Sequence, residues 1–212
     1  MFKITSSAVQ CHGIFGDTFM QKRHFLAAGA IAGAWPTVAP AAAQRATGPV
    51  VLTLGGQVGR SNRPPMNDAL DQMMHKHGVR FERAFTFDAA SLQRLPAVTI
   101  QPKIVYDQQT HTLRGPLLST VLEAAGVDMK GRWSLGLRAV DGYNVRVTQQ
   151  QVRELNMILA THLDGQALAL GGLGPQWAVY DPALVPWLKD KALPEQFALS
   201  PWGLYYIEVA AA

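Results

Sequence analysis

Cysteine is almost absent from this 212-residue chain, which contains a single one, Cys11. It lies in the N-terminal stretch that has the pattern of a removable leader. The remaining chain therefore offers no disulfide, no thiolate nucleophile and no cysteine ligand for a metal. Long apolar runs are missing too, since no stretch approaches the roughly 18–20 uninterrupted apolar residues that a membrane span needs.

The chain also lacks a strong excess of charge of one sign. Lys and Arg together number 19, Asp and Glu 15, a net charge of +4. Residues 1–43 hold three of the basic residues and one of the acidic ones, so the rest carries 16 and 14, a net of +2. This bias is too small to predict binding to nucleic acid or to a membrane surface. A hydrophobic content of 48% is sufficient for a packed core and argues against disorder.

The first 46 residues have the order of an export signal. The basic segment Lys22-Arg23-His24 runs into the apolar residues 25–35, and the small residues Ala41-Ala42-Ala43 follow. We expect cleavage near Ala43 and, because Met20 directly precedes the basic segment, a true start at Met20. Lys22-Arg23 resembles a twin-arginine signal with lysine in place of the first arginine, so Sec and twin-arginine export both remain open. The sequence predicts a periplasmic or secreted protein whose folded domain is residues 47–212.

Strand patterns recur along the mature chain. Two turn signals stand out: Asp141-Gly142, between two strands within residues 135–147, and Asp164-Gly165, which is typical of a two-residue hairpin. The other predicted strands are 50–54, 81–87, 98–106, 157–160, 166–170, 176–180 and 204–209.

Helices are predicted at four places by their end signals. Asn67 would cap a helix over 68–77 that Gly78 stops, and Asp88 would cap one over 89–95. The clearest helix is 116–125, with Pro116 at its first position and Gly126 just past its end. Thr148 and Gln151 form a capping-box pattern for a fourth helix. The Pro-rich stretch 182–201 is predicted to be a long loop with one helix. No repeat or linker interrupts the pattern, so we expect one mixed α+β domain.

The order of seven short motifs resembles a known family. They are Leu52-Thr53-Leu54-Gly55-Gly56; Phe87-Asp88-Ala89 with Leu95-Pro96; Arg114-Gly115-Pro116 leading to Gly126; Ala139-Val140-Asp141-Gly142-Tyr143; Ile158-Leu159-Ala160 with Asp164-Gly165; Gly174-Pro175-Gln176-Trp177; and Trp202 to Val209. Together they resemble the molybdopterin-binding domain of the sulfite-oxidase class of oxidoreductases, in its short stand-alone bacterial form. The resemblance covers about residues 48–209. It implies an α+β domain with a mixed β-sheet, and a molybdopterin cofactor.

The resemblance fails at the residues that would hold that cofactor. Enzymes of this family bind molybdenum through a pterin dithiolene and one cysteine thiolate, which by family order would lie between Thr99 and Arg114. Residues 99–107 contain no cysteine. The basic residues that the enzymes place near the pterin phosphate correspond here to Trp177 and Pro201. No metal ligand and no catalytic residue is therefore predicted.

Three functions remain open at this point. The first is an exported, non-catalytic binding or accessory module without the cofactor. The second is a periplasmic molybdopterin-dependent oxidoreductase with unusual ligation, and the third is a structural subunit of a redox complex. The expected partner is a small anionic ligand or a redox protein, with no nucleic acid and no membrane span after cleavage.

The candidate cofactor- or ligand-binding residues are Arg114, Arg138, Tyr143, Arg146 and Trp177. With Arg132, the three arginines form either a cationic pocket or an ordinary solvated surface. If Asp141-Gly142 is a two-residue turn, Arg138 and Arg146 lie on opposite faces of the sheet, because side chains alternate along a strand. Tyr143 packs in a structural role or binds ligand, and Trp177 belongs to the core or lines a groove.

Histidine and serine patterns predict no further site. His75, His77, His111 and His162 could suggest a metal site, but His75 and His77 are two residues apart on a predicted helix and so point to different sides. No Glu or His lies at helical ligand spacing beside that pair. Ser119 and Ser200 lack a nucleophile-elbow context. Trp133, Trp187 and Trp202 are expected in the core.

Overall fold

The computed structural model describes residues 46–212. The predicted signal peptide, its cleavage position near Ala43, Met20 and Cys11 all lie outside the described residues. Within residues 46–212, no helix has the length and apolar character needed to cross a membrane.

Short strands dominate the described chain, and short helices lie between them. In chain order the elements are β1 (Val50–Gly56), α1 (Gln72–Lys76), β2 (Ala84–Asp88), α2 (Ala89–Gln93), β3 (Ala97–Ile100), β4 (Leu113–Pro116), α3 (Leu118–Ala124), β5 (Trp133–Ala139), β6 (Asn144–Thr148), α4 (Gln149–Leu155), β7 (Ile158–Ala160), β8 (His162–Leu163), β9 (Gln166–Ala167), β10 (Trp177–Val179), α5 (Leu193–Gln196) and β11 (Leu204–Ala211). Two 3₁₀ turns, Pro182–Leu184 and Pro186–Leu188, lie between β10 and α5.

The largest sheet has five strands in the order β2-β1-β11-β5-β6. The β1–β11 pair is parallel and the other three pairs are antiparallel, so the sheet is mixed. Alternation along the strands puts apolar side chains on one face, where Leu52, Leu135 and Ile207 are fully buried. Helices α3 and α4 supply residues to the same core cluster, for example Leu122 and Leu155. The fold is α+β with a mixed sheet, as predicted.

A second body of strands packs beside this sheet. It contains the four-stranded sheet β3-β4-β8-β9 and the pair β10-β7. Its own buried cluster is centred on Leu113, Ile158, Trp177 and Phe197. A backbone hydrogen bond joins the two parts. Leu118, at the start of α3, donates its N–H to the carbonyl of Met157, just before β7.

The other face of the large sheet is only partly covered. Tyr205 and Tyr206 of β11 pack there against Met74, Val79 and Phe81, which come from α1 and the segment that follows it. The remainder of this face carries polar side chains.

Three local predictions are confirmed by hydrogen bonds. Asp88 accepts from the Ser91 backbone N–H at 2.7 Å and caps α2. Thr148 and Gln151 form the reciprocal capping box of α4, with bonds of 3.2 and 2.9 Å. Asp164 and Gly165 have φ of 48° and 79° and close the β8–β9 hairpin, as two-residue hairpin turns require.

Several predicted boundaries are wrong. Pro116 does not begin a helix; it ends β4, where it pairs with Ala97. The helix starts at Leu118 because Leu117 is held extended by its bridge to Ile158. Gly126 does follow this helix, at φ +77°. The predicted helix 68–77 contracts to α1, since Asn67 caps a separate turn through the N–H groups of residues 69 and 70.

The strand predictions need similar corrections. The segment 81–87 is extended only from Ala84, and 98–106 only up to Ile100. Residues 157–160 do not pair with 166–170, because β7 pairs with β10 and the hairpin partner of β9 is β8.

Candidate functional site

The candidate arginines do not form one pocket. Arg114 lies on β4 in the second sheet, opposite Thr99 and His162, and is exposed. Arg138 and Arg146 lie on β5 and β6 of the large sheet. Arg132 precedes β5 and is exposed.

Arg138 and Arg146 share one face of the large sheet, contrary to the prediction based on a two-residue turn. Arg138 pairs with Asn144 and Gly136 pairs with Arg146. The Ala139 N–H is bonded to the Tyr143 carbonyl at 2.8 Å, so three residues, 140–142, form the loop. Positions 136 and 138 are two apart and face the same side, which brings the two arginines together.

These two arginines have different surroundings. Arg146 is exposed and pairs with Glu208 at 3.4 Å, an interaction of little net value at a surface. Arg138 is half-buried and lines a small polar cleft of about 130 Å³. The other lining residues of this polar cleft are Gly78, Val79, Arg80, Gly136, Asn144, Tyr206 and Glu208. Because the Glu208 carboxylate shares the space with the arginines, the cleft is not a purely cationic pocket.

A second cleft, of about 290 Å³, lies where three distant segments meet. It is called the aromatic cleft below. Its lining residues are Val105, Tyr106, Ala139, Asp141, Tyr143, Pro194, Phe197, Ala198, Ser200, Pro201 and Trp202. They come from the stretch after β3, from the end of β5 with the β5–β6 loop, and from the segment that runs from α5 to the start of β11. The second and third of these segments carry motifs on which the family resemblance rests. The stretch after β3 is the one in which the resemblance places a cysteine.

Hydrogen bonds hold the β5–β6 loop against the far wall of the aromatic cleft. Asp141 Oδ1 accepts from the Tyr143 backbone N–H at 2.9 Å. The Tyr143 hydroxyl donates to the Ala198 carbonyl at 2.9 Å, as the structural interpretation of Tyr143 predicts. Tyr143 nevertheless stays 48% exposed, so its side chain remains accessible from the cleft.

Trp177 forms part of the support behind the cleft and does not line a groove. Its side chain is fully buried, its Nε1–H donates to the Ser200 carbonyl at 3.0 Å, and its ring centroid lies 6.0 Å from that of Tyr106. The buried Ser200 hydroxyl donates to the Ala178 carbonyl at 2.8 Å. A ligand in the cleft therefore meets Tyr106, with Trp177 behind it.

Aromatic groups and a single carboxylate dominate the chemistry of the cleft. Asp141 is the one formally charged residue among the lining residues. Within residues 46–212 it forms no ion pair. Burial raises the pKa of the Tyr106 phenol. A hydrogen bond with Trp202 lowers this pKa in part, and the negative charge of Asp141 raises it further. Tyr106 is therefore a neutral ring at neutral pH.

Sequence reasoning missed Tyr106 and Trp202 as cleft residues. Tyr106 lies in the stretch of the expected cysteine, where the missing sulfur is visible in the sequence but nothing local indicates an aromatic cleft residue. Trp202 was assigned to the core, and it is only half-buried. Asp141 is a turn residue, as the Asp141-Gly142 signal predicts, and it also lines the cleft.

The histidines engage in ordinary contacts. His77 Nδ1 lies 2.8 Å from the Tyr205 hydroxyl and His162 Nδ1 lies 2.9 Å from that of Thr161. His111 is held between two carboxylates, at 2.6 Å from Asp164 and 2.8 Å from Asp107. In the described part of the chain, no group of three His, Cys, Asp or Glu residues could hold a metal ion.

We predict that His111 makes the hairpin contact pH-dependent. Hydrogen bonds to Asp164 and then Asp107 raise its pKa above 6.5, and the same bond to His111 lowers the pKa of Asp164 below 3.8. A raised histidine pKa adds stability that is complete below pH 6.5 and disappears as pH rises through the folded-state pKa. The lowered pKa of Asp164 adds stability that is present above pH 3.8 and is lost as the pH falls through the folded-state pKa.

The stabilising effect of His111 is thus expected to be largest between about pH 4 and 6.5. Thermal unfolding of the wild type and of His111→Gln across this range measures it, and NMR titration of the imidazole reports the pKa directly. Asp164→Asn should lower that pKa. A histidine that titrates below 6.5 in the wild type would contradict the two-carboxylate clamp.

Comparison with known proteins identifies no family for this chain. No protein-family model matches the chain, and no curated protein matches it. Among solved structures, the chain is similar to the sulfane dehydrogenase SoxCD from Paracoccus pantotrophus, at 15% sequence identity and a TM-score of 0.48. The match covers 75% of this chain and 37% of that chain. The chain thus spans little more than a third of that protein's length, and a likeness of this degree transfers no function.

Proposed function

We propose that this chain is an exported, non-catalytic binding protein whose ligand site is the aromatic cleft. The observation that carries the proposal is the set of side chains in that cleft: aromatic rings and one carboxylate, with no sulfur and no cation. The observed α+β fold with a mixed sheet agrees with the fold class that the resemblance predicts. This agreement supports a common architecture with molybdopterin-binding domains. Function, however, depends on the site and not on the architecture.

The residues of the cleft do not fit a molybdenum–pterin cofactor. Molybdenum in this setting needs a soft anionic sulfur ligand, and a buried phosphate needs fixed cations or backbone donors. The stretch in which the cysteine is expected contributes Val105 and Tyr106 to the wall. The two positions of the expected basic residues, Trp177 and Pro201, are both buried and uncharged. We therefore derive no redox step for this chain.

The leader pattern of residues 20–43 supports the proposed export. Its order of basic, apolar and small residues is typical of a cleaved signal. The low charge of the mature part is consistent with a small-molecule ligand in preference to nucleic acid. The proposed location is the periplasm or the exterior of the cell.

The test is a combined analysis of metal, pterin and N-terminus. The full chain is expressed in a bacterial host that makes molybdopterin, and the exported protein is purified. We expect an N-terminus near Ala43, with molybdenum and released pterin at the level of an exported protein that has no pterin site. Expression with Arg23→Ala and Lys22→Ala, which removes the basic pair, should leave the protein in the cytoplasm.

Either of two results would overturn the proposal. Stoichiometric molybdenum or pterin would favour the oxidoreductase with unusual ligation. A protein partner that co-purifies reproducibly and covers the cleft would favour the structural subunit.

A further inference from the structure

Three aromatic side chains that line the aromatic cleft are not fully buried by their packing. Tyr106 is 56% exposed and Tyr143 is 48% exposed, while the Tyr143 hydroxyl donates to the Ala198 carbonyl. Trp202 is half-buried in the same wall. Exposed aromatic rings that share a concave surface are suited to contact with an apolar or cationic group.

The charge in the cleft is of one sign. Asp141 uses one carboxylate oxygen to accept from the Tyr143 N–H, which fixes the position of the group. Its negative charge is not neutralised by an ion pair within the described residues. No lysine or arginine lies among the lining residues. An anionic ligand would meet repulsion here, whereas a cation would gain both the carboxylate and the electron-rich ring faces.

The size of the cleft limits the ligand further. A volume of about 290 Å³ is at the lower end of small-molecule sites, which span roughly 300–1,000 Å³. It suits a compact ligand of a few carbon atoms around one charge. A weakly hydrated cation loses little hydration free energy when it leaves water. An organic ammonium therefore fits this cleft better than a metal ion does.

We propose that the aromatic cleft binds a small organic cation of the quaternary-ammonium type. This inference rests on the proposed function, since it names the ligand class of the same site. It also replaces the small anionic ligand expected from the sequence, because the arginines that would bind an anion lie outside the lining of this cleft. Tyr106, Tyr143 and Trp202 supply the ring faces, and Asp141 supplies the counter-charge.

The test compares a cation with its uncharged isostere. Choline is titrated into the mature protein, and 3,3-dimethyl-1-butanol, in which carbon replaces the charged nitrogen, is titrated in parallel. Tryptophan fluorescence is followed in a Trp187→Phe background, because Trp187 is exposed and lies outside the cleft; the remaining tryptophans of the described chain are Trp202 of the cleft and the buried Trp133 and Trp177. We expect saturable choline binding, and an affinity for the isostere lower by about tenfold, the order expected of cation–π attraction of about 1.4 kcal/mol.

Substitutions separate the two attractive groups. Asp141→Asn retains the oxygen that accepts from Tyr143, and we expect it to weaken choline binding about tenfold. Tyr106→Leu should weaken it similarly, whereas Tyr106→Phe, which keeps the ring, should have little effect. Asp190→Asn, at an exposed carboxylate outside the cleft, is the matched control and should leave the affinity unchanged. Circular dichroism and melting temperature verify that each variant is folded.

The inference is overturned if choline does not saturate the protein or if the isostere binds equally well. It is also overturned if folded Asp141→Asn and folded Tyr106→Leu both bind like the wild type. Any of these results would refute the organic-cation ligand only. The proposed function would still hold if the purified protein contains no molybdenum and no pterin. Stoichiometric molybdenum would instead refute the proposed function, whatever choline does.

Discussion

Replacing Gly115 with valine is expected to destabilise the protein strongly. Gly115 lies in β4, where the chain passes directly against β7. A Cβ at this position would lie 1.8 Å from the Leu159 carbonyl oxygen and 2.8 Å from the Ala160 Cα. Both neighbours are backbone atoms of a fully buried strand, so no side chain can rotate away.

Relief of that clash requires β4 and β7 to separate. Separation would break the bond between the Thr161 N–H and the Arg114 carbonyl and open the second core cluster around Ile158. Overpacking of this kind belongs to the few changes that cost more than about 4 kcal/mol. That is a large part of a total stability of roughly 5–15 kcal/mol. The yield of soluble protein and urea denaturation measure the effect.

Gly172→Val is the matched control for this substitution. Gly172 lies in a surface turn, where an added Cβ would make ordinary contact with the Ala169 carbonyl at 3.5 Å. We expect a change within about 0.5 kcal/mol, as for other surface positions. A Gly115→Val protein with unchanged stability would show that β4 and β7 do not approach so closely.

Features that depend on neighbours in the sequence could be predicted well. The capping of α2 by Asp88 and the capping box of α4 require only residues three apart, so their chemistry is visible in the sequence. The hairpin at Asp164-Gly165 is equally local, because it needs two residues that tolerate positive φ.

Features that depend on distant partners could not be predicted as well. Pro116 has every local property of a first helical residue, yet its segment stays extended because β3 pairs with it from one side. At Asp141-Gly142 the turn signal was correct, but the number of residues in the loop was not determined by it. One residue more or less in a hairpin loop exchanges the faces of the sheet, which is why the placement of Arg146 relative to Arg138 was wrong.

The candidate site illustrates the same limit. The aromatic cleft joins residues near 106, 141 and 202, and no local pattern indicates that these segments meet. The resemblance to a known family implies a cysteine and basic residues that this sequence lacks at the corresponding positions. It did not indicate the aromatic residue, Tyr106, that lines the wall in that stretch. The site therefore depends on tertiary contacts, which the patterns within its separate segments do not indicate.

The back of the cleft and the large sheet are connected by one buried polar side chain, that of Gln176. It is fully buried, and its Nε2 donates to the carbonyls of Val51 at 2.7 Å and of Leu204. The next residue is Trp177, which supports the cleft from behind. Gln176 thus connects β1 and β11 of the large sheet to β10 of the second body.

We predict that Gln176→Glu is strongly destabilising at neutral pH. The carboxylate has nearly the same shape but donates nothing, and it faces two carbonyl oxygens without a cation. Breaking such a buried network costs about 3–5 kcal/mol. Burial raises the pKa of the new carboxyl group, so the folded state binds more protons than the unfolded state. The loss should then shrink as pH falls towards about 4.3, the ordinary glutamate value.

Two variants separate charge from packing in this prediction. Gln176→Met removes the donors without adding charge, so we expect a loss of about 1–3 kcal/mol that does not vary with pH. Gln166→Glu introduces the same carboxylate at an exposed position of β9 and should change stability by less than about 0.5 kcal/mol. Urea denaturation at several pH values measures all three. If Gln176→Glu is as stable as the wild type at pH 7, the amide does not hold the two carbonyls, and the link between the large sheet and the cleft wall must lie elsewhere.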